Sequence, residues 1–256
     1  MKFIPVGDIM TEDLYFYDPV MRDICIKFSR DRKISYLPGL DADSQIFKID
    51  GDEANPYILE EGQKINVSMD AFSTELMEKF EKYSVLFVFN ANRLIGVIHF
   101  SDYDREPAML YLYSLIMEVE KNLRLILRRE GFSNDDIYKF FVDEALENEY
   151  YKKQKEEYEK NGDKYAAREP FQEFYLLDLI AFARKNKIVV IDSGKVKQIR
   201  NSIAHSKRVV DHECYYAAEH IYSLESFKIF FDAVIYCQKL LKKINNIIAL
   251  KGTCHI

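Results

Sequence analysis

The spacing of hydrophobic residues changes near residue 105, and this change most limits how the chain can fold. Before it, apolar residues form short strand-like runs, such as 84–89 and 94–100 around a polar turn at 90–93. After Pro107 they recur every three or four residues, as in helices that bury one face. The sequence therefore predicts an α+β chain, with a small α/β region over 1–105 and an all-α helical bundle over 106–256.

The first region contains an internal repeat. Residues 21–28 and 73–80 have helical apolar spacing, and each segment precedes a pair of strand-like runs. The order helix–strand–strand thus occurs twice, about 50 residues apart. Two similar α/β units are therefore predicted in the first 105 residues.

The second region contains signals for the ends of helices as well as for their apolar faces. Gly131 follows a long aliphatic stripe and is predicted to end that helix. Ser133 and Asp136 have the spacing of a capping box, which predicts the start of the next helix. Further helices are predicted over 171–184 and, as a long amphipathic helix suited to a bundle, over 224–248.

Composition gives no indication of a membrane span, a secretion signal or a metal. No run of about 18 uncharged apolar residues occurs, and the N-terminus has no apolar core, so a cytoplasmic protein is expected. The four cysteines include no C-x-x-C pair. His212, Cys214, Cys254 and His255 could form a metal site only if the C-terminal tail folded back, so no metal is expected.

The net charge of −6 is distributed unevenly. Residues 1–105 have 12 Lys and Arg against 19 Asp and Glu, a net charge of −7. The remaining residues have 24 against 23, a net charge of +1. The second region could therefore approach a polyanion without strong repulsion.

A basic segment at 195–208 contains the most convincing reactive cluster, with five Lys and Arg and no acid. On a helix Asn201 and His205 lie one turn apart on the same face, and the long side chain of Arg200 can reach the same space. Three further cations in the segment are predicted to contact RNA: Lys197, Lys207 and Arg208.

These side chains suit cleavage of a phosphodiester without a metal. The His205 imidazole can take a proton from a ribose 2′-hydroxyl or give one to the leaving oxygen. The Arg200 guanidinium can stabilise the charge that builds on phosphorus. Because the 2′-hydroxyl is the nucleophile, RNA is the expected substrate. In a purely structural alternative, His205 caps its helix and Arg200 binds a carboxylate such as Glu118 or Glu120.

The run 200–205, Arg-Asn-Ser-Ile-Ala-His, resembles the Arg–His motif of the HEPN family, and residues 118–124 resemble that family's first helix. The resemblance covers roughly 107–250. It implies a helical domain whose members are often metal-independent ribonucleases that act as dimers, with two motifs meeting at one site. Other members have no known cleavage activity and serve as binding domains.

Residues 6–11, Val-Gly-Asp-Ile-Met-Thr, and 93–102, which end the second repeat, resemble a CBS pair over roughly 3–105. The resemblance implies clefts that bind adenine nucleotides, with Gly96, Val97 and Asp102 as nucleotide-binding residues and Asp102 on the ribose. His99 occupies the position of a phosphate-binding hydroxyl, and the matching stretch of the first repeat has lost the pattern. A pair that serves only as a scaffold or dimerisation surface is the alternative.

Two functions therefore emerge from the sequence. The first is a metal-independent endoribonuclease, a toxin or defence-type effector, regulated by a CBS-like module that senses an adenine nucleotide. Its catalytic residues are Arg200, Asn201 and His205, and its partners are RNA and a second copy of the chain. The alternative is a non-catalytic nucleotide-sensing or RNA-binding dimerisation protein. Neither function requires another cofactor.

Overall fold

The computed structural model describes residues 3–32, 34–40, 45–162, 165, 169–204 and 220–252. Two small three-stranded sheets are followed by helices, so the mixed α+β class is confirmed. The described residues fall into two compact units. Unit 1 contains those of 1–111 and 208–231, and unit 2 contains those of 112–207 and 232–256. Early residues of the last helix thus belong with the predicted α/β region.

Unit 1 contains both sheets. In the first sheet all three strands are antiparallel, in the order β1-β2-β3. In the second sheet β4 is parallel to β5, and β5 and β6 form the predicted hairpin. The elements are α1 (Arg22–Arg32), β1 (Tyr36–Pro38), β2 (Ile46–Asp50), β3 (Glu53–Tyr57), β4 (Lys64–Asn66), α2 (Thr74–Phe80), β5 (Leu86–Asn90) and β6 (Arg93–Ile98).

A close approach of two backbones explains the glycine in β6. Thr11 and Val97 exchange backbone hydrogen bonds, with N···O distances of 2.8 and 3.0 Å. A Cβ atom on Gly96 would lie 2.7 Å from Met10 Sδ and 2.8 Å from the Thr11 carbonyl oxygen. Only glycine lets the 10–11 segment pair with β6 at this distance.

Aromatic side chains fill much of the core of unit 1. The Phe72 and Tyr103 rings are 5.2 Å apart, and Phe227, from the last helix, lies 4.8 Å from Tyr103 and 5.6 Å from Phe80. The Tyr103 hydroxyl donates a hydrogen bond to the carbonyl oxygen of Ala71. Burial raises the pKa of Tyr103 well above its ordinary value, so the phenol stays neutral in this core.

The remaining helices begin and end where local signals place them. Gly131, with φ +81°, ends the first of them, and Ser133 and Asp136 form the predicted capping box. The helix predicted from Phe171 begins at Leu176 instead, and a positive φ of 73° keeps Phe171 itself out of any α-helix. These helices are α3 (Glu106–Arg129), α4 (Asn134–Glu144), α5 (Glu149–Lys160), α6 (Leu176–Lys185), α7 (Ser193–Ala204) and α8 (His220–Gly252).

In unit 2 the apolar faces of α3 and α8 are buried, as their spacing predicts. Polar contacts at the edge fix these two helices, since Asn122 Nδ2 donates to Asn245 Oδ1 at 2.9 Å and Arg129 donates to the Ile248 carbonyl oxygen. In the described ranges no helix has both the length and the apolar character needed to cross a membrane. Buried residues of the two faces include Leu115, Val119, Leu123, Ile126, Val234, Leu241 and Ile244.

Candidate functional site

Helix α7 positions the first part of the predicted reactive cluster. Asp192 caps the helix, since its Oδ1 accepts hydrogen bonds from the backbone N–H groups of Gly194, at 2.9 Å, and Lys195, at 3.3 Å. Val196 and Ile199 lie one turn apart, and both are buried. They anchor one face of α7 and leave the following residues near the surface.

The structure places three of the predicted residues on α7. Arg200 and Asn201 are half-buried neighbours, and Lys197 is exposed. The other three predicted residues, His205, Lys207 and Arg208, lie outside the described residues. The guanidinium and the amide are thus on one helix, and the roles of the imidazole and of the two further cations stay predictions.

A buried carboxylate that the sequence reasoning did not identify belongs to the same site. Asp178, in the first turn of α6, is 1% exposed. Its Oδ1 accepts a hydrogen bond from the Tyr150 hydroxyl at 2.9 Å, and its Oδ2 is buried without a hydrogen-bond partner. Such half-satisfied buried carboxylates are rare and mark candidate functional positions.

Burial raises the pKa of Asp178 to about 6. The hydrogen bond from Tyr150, the Tyr175 backbone and the charge of Arg200 oppose this rise, so Arg200 acts electrostatically on the carboxyl. Burial, followed by the charge of Asp178, raises the pKa of Tyr150, which keeps its phenol protonated as a donor. The sequence did contain a signal, because Asp178 interrupts the apolar run 176–180.

The carboxylate alternatives considered for Arg200 are not seen. Glu120 pairs instead with Arg124, four residues along the same helix. Among the described residues no carboxylate lies within ion-pair distance of Arg200, and none of them forms a hydrogen bond with its guanidinium. Among the described residues, the five N–H donors of this half-buried side chain therefore have no acceptor.

The predicted nucleotide residues in unit 1 form a closed network. Asp102 is 7% exposed. Its Oδ1 accepts from Thr11 Oγ1 at 3.1 Å and lies 3.2 Å from Arg105 Nε, while its Oδ2 accepts from the His99 backbone N–H at 2.7 Å. Val97 pairs with Thr11 through the backbone, so the three predicted residues, Gly96, Val97 and Asp102, all adjoin Thr11. Both carboxylate oxygens already have donors from the chain, and ribose hydroxyls would have to compete with them.

A cleft of about 780 Å³ lies elsewhere in unit 1. Residues of β2 and β3 in the first sheet, and of all three strands of the second sheet, line this cleft. Gly96, Val97 and Asp102 are not among its lining residues. Its apolar lining includes Ile46, Tyr57, Ile65, Phe89 and Leu94, and its polar lining includes Gln45, Lys64, Asn66 and Asn92.

Within the described part of the chain, no three His, Cys, Asp or Glu side chains are grouped so that they could hold a metal ion. The four tail residues considered from the sequence, His212, Cys214, Cys254 and His255, lie outside the described residues. Cys237 is buried, and burial raises its pKa to about 12, so its thiol is poorly suited to bind metal.

The chain was compared with known proteins on the basis of both its sequence and this fold. No protein-family model, no curated protein and no solved structure matches it.

Proposed function

We propose that the chain is a metal-independent endoribonuclease whose reactive groups lie on α7 and just beyond it. The observation that supports this most is the state of Arg200, a half-buried guanidinium that forms no hydrogen bond with any described residue. Planar guanidinium groups recognise phosphate through paired hydrogen bonds. Asn201 is the next residue, and His205 follows Ala204, the last residue of the helix.

Each proposed group has one step in the reaction. His205 takes the proton of a ribose 2′-hydroxyl, and the oxygen attacks the neighbouring phosphorus. The bond from phosphorus to the 5′-oxygen of the next nucleotide breaks, and that oxygen receives a proton from a second imidazole, which is protonated before the step. Arg200 holds the phosphate oxygens on which negative charge builds. The products are a 2′,3′-cyclic phosphate and a free 5′-hydroxyl.

The second imidazole comes from a second copy of the chain. One His205 cannot be base and acid in the same step, and two-fold dimers are the commonest protein assemblies. A two-fold dimer of the helical region supplies two imidazoles to one composite site. We therefore expect a homodimer in light scattering, and a monomer at working concentration would contradict this mechanism.

The α/β unit is proposed to regulate cleavage by binding a ligand, as in a toxin or defence-type effector. The cleft of about 780 Å³ has the size of a small-molecule site and supports a sensing role. An adenine nucleotide is the ligand that the family resemblance suggests. If this unit senses a nucleotide and the helical region only binds RNA or dimerises, the chain is instead a non-catalytic sensor.

Cleavage of single-stranded RNA in EDTA tests the proposal. Purified protein should release products that end in a 2′,3′-cyclic phosphate. Arg200→Ala and His205→Ala should each lower the rate by about a hundredfold or more, because each removes a group that acts in the transition state. Asn201→Ala should cost less, since its amide positions groups without transferring a proton or neutralising charge.

Arg128→Ala is the matched control for the loss of a cation. Arg128 forms an ion pair with Glu169 at 3.1 Å and has no proposed role in the reaction. The Arg128→Ala variant should therefore cleave RNA at the wild-type rate. Cleavage that needs Mg²⁺ and survives His205→Ala would contradict the proposal. A nucleotide-dependent change in melting temperature without any cleavage would favour the sensor.

A further inference from the structure

Two half-exposed tyrosines adjoin the buried residue Asp178. Tyr150 is 44% exposed and Tyr175 is 53% exposed. Tyr150 is in the first turn of α5, and Tyr175 is the residue that caps α6. The Tyr150 hydroxyl donates to Asp178 Oδ1 at 2.9 Å, and the Tyr175 carbonyl oxygen accepts from the Asp178 N–H at 2.9 Å, so both tyrosines adjoin one residue. Aromatic rings with this much exposure on a folded surface are candidates for ligand contact.

The Tyr150 ring is held from two sides. Its hydroxyl donates to Asp178 Oδ1 at 2.9 Å, and its ring centroid lies 5.2 Å from that of Tyr151 in an edge-on arrangement. Tyr151 in turn packs on Phe140 at 5.1 Å and on Phe141 at 5.8 Å. One face of an anchored ring can therefore receive a ligand with little further loss of side-chain entropy.

Tyr175 is fixed through its backbone. Its carbonyl oxygen accepts hydrogen bonds from the N–H groups of Asp178, at 2.9 Å, and Leu179, at 3.1 Å. The preceding residue, Phe174, is buried and packs 5.8 Å from Phe141. The backbone of Tyr175 is thus tied to the first turn of α6, the same turn that contains Asp178.

The charges around these rings suit a nucleic acid. The Tyr150 phenol stays neutral because burial and the nearby Asp178 charge raise its pKa. The one carboxylate in the group, Asp178, is buried and lies within the electrostatic reach of Arg200. The Tyr150 ring is thus a neutral aromatic surface, and the positive charge of Arg200 acts on the carboxylate to which its hydroxyl donates. Proteins bind single-stranded nucleic acids by combining these two features.

We propose that Tyr150 and Tyr175 form a stacking surface for an unpaired base of the RNA whose phosphate binds Arg200. This inference rests on the proposed ribonuclease function and names residues that would bind its single-stranded substrate. Bases inside a duplex are stacked on each other and cannot offer their faces to a tyrosine. The substrate is accordingly single-stranded RNA or an unpaired loop.

Binding of a 2′-O-methyl RNA to the full chain tests the surface without cleavage, because that RNA lacks the attacking hydroxyl. In fluorescence anisotropy, Tyr150→Ala and Tyr175→Ala should each weaken binding of a single strand by about tenfold. Tyr150→Phe keeps the ring and should bind more tightly than Tyr150→Ala. Tyr113→Ala, at a tyrosine of α3 that is also 53% exposed, should bind like the wild type.

A fluorescent reporter covers the case in which an alanine variant folds poorly. The chain contains no tryptophan, so Tyr175→Trp introduces a single indole. A base that stacks on it should quench its fluorescence when single-stranded RNA is added, and duplex RNA should not. Tyr113→Trp serves as the control and should show no quenching.

The outcomes separate this inference from the proposed function. If wild type cleaves RNA while both alanine variants bind single strands normally and Tyr175→Trp shows no quenching, the stacking surface is wrong and the ribonuclease stands. If wild type does not cleave RNA but the variants lose binding and Tyr175→Trp is quenched, the surface stands and the ribonuclease is wrong.

Discussion

The two units each contain a buried carboxylate at the start of a helix, but they differ in how fully its oxygens are hydrogen-bonded. Asp102 and Asp178 both sit at the third position of a helical turn. Around Asp102, in unit 1, both oxygens receive donors from Thr11, His99 or Arg105. Around Asp178, in unit 2, one oxygen has a tyrosine donor and the other has none.

This difference separates a structural carboxylate from one available for function. A buried group whose hydrogen bonds are all made by its own chain stabilises the fold and has little capacity left for a ligand. A half-satisfied group costs stability, and folds keep such groups mainly at functional sites. Asp102, chosen from a motif, fits the first description, and Asp178, which no motif indicates, fits the second.

The largest effect is expected from Asp102→Ala. This change leaves the His99 N–H and the Thr11 hydroxyl without their acceptor and removes the partner of Arg105. It should lower the free energy of unfolding of unit 1 by about 3 to 4 kcal/mol. Urea unfolding followed by a probe in unit 1 measures it. Asp23→Ala, at an exposed ion pair with Arg22, is the control and should cost less than about 1 kcal/mol.

A loss below about 1 kcal/mol for Asp102→Ala would remove the contrast with Asp178. It would show that the network around Asp102 is not what holds this part of the sheet. The ribose site suggested for Asp102 would then become easier to accept, because its oxygens could be released to a ligand at low cost.

Much of the fold could be predicted because its signals are local. The β5–β6 hairpin, the Gly131 helix end and the Ser133–Asp136 capping box each depend on residues close in sequence. Strands β3 and β4 were not predicted: β3 contains Asn55 and Pro56, and β4 is three residues long. Their pairing depends on strands that the pattern of either segment does not reveal.

The candidate site shows the same limit. Arg200 and Asn201 could be chosen because they are adjacent on one predicted helix. Asp178 and Tyr150 are 28 residues apart on different helices, and only the packing of α5 and α6 brings them to 2.9 Å. The sequence shows a charge within an apolar run, but it does not show which side chain satisfies that charge or how completely.

The second largest effect is expected from Asp178→Asn, and it should depend on pH. Burial raises the pKa of Asp178 to about 6 in the folded chain, against about 3.9 in an unfolded one. Ionisation therefore opposes folding, so stability from this group is complete below about pH 4 and is lost as the pH rises through 6. This difference of about two pKa units corresponds to a loss of at most about 3 kcal/mol in the free energy of unfolding.

Because asparagine does not ionise, the free energy of unfolding of Asp178→Asn at pH 8 should exceed that of wild type by about 2 to 3 kcal/mol. The variant should therefore unfold at a higher urea concentration. At pH 4 the two proteins should differ little, since the carboxyl is then protonated in wild type. The groups that face Asp178 in wild type, Tyr150, Tyr175 and Arg200, remain in the variant. Parallel stability curves between pH 4 and 8 would mean that Asp178 is not the strained member of the pair.

The smallest effect is expected from Gly96→Ala, which tests how tightly the Asp102 network is held. The added Cβ would lie 2.8 Å from the Thr11 carbonyl oxygen, so the 10–11 backbone has to move away from β6. That movement weakens the Thr11–Val97 pairing and the Thr11–Asp102 hydrogen bond together, at a cost of about 1 to 2 kcal/mol. Gly162→Ala is the control, because no atom lies within 4 Å of its Cβ position. The double variant Gly96→Ala, Asp102→Ala should lose less stability than the sum of the two single losses, since both changes act on one network. Full additivity would mean that Gly96 does not act through the Asp102 network, although both residues adjoin Thr11.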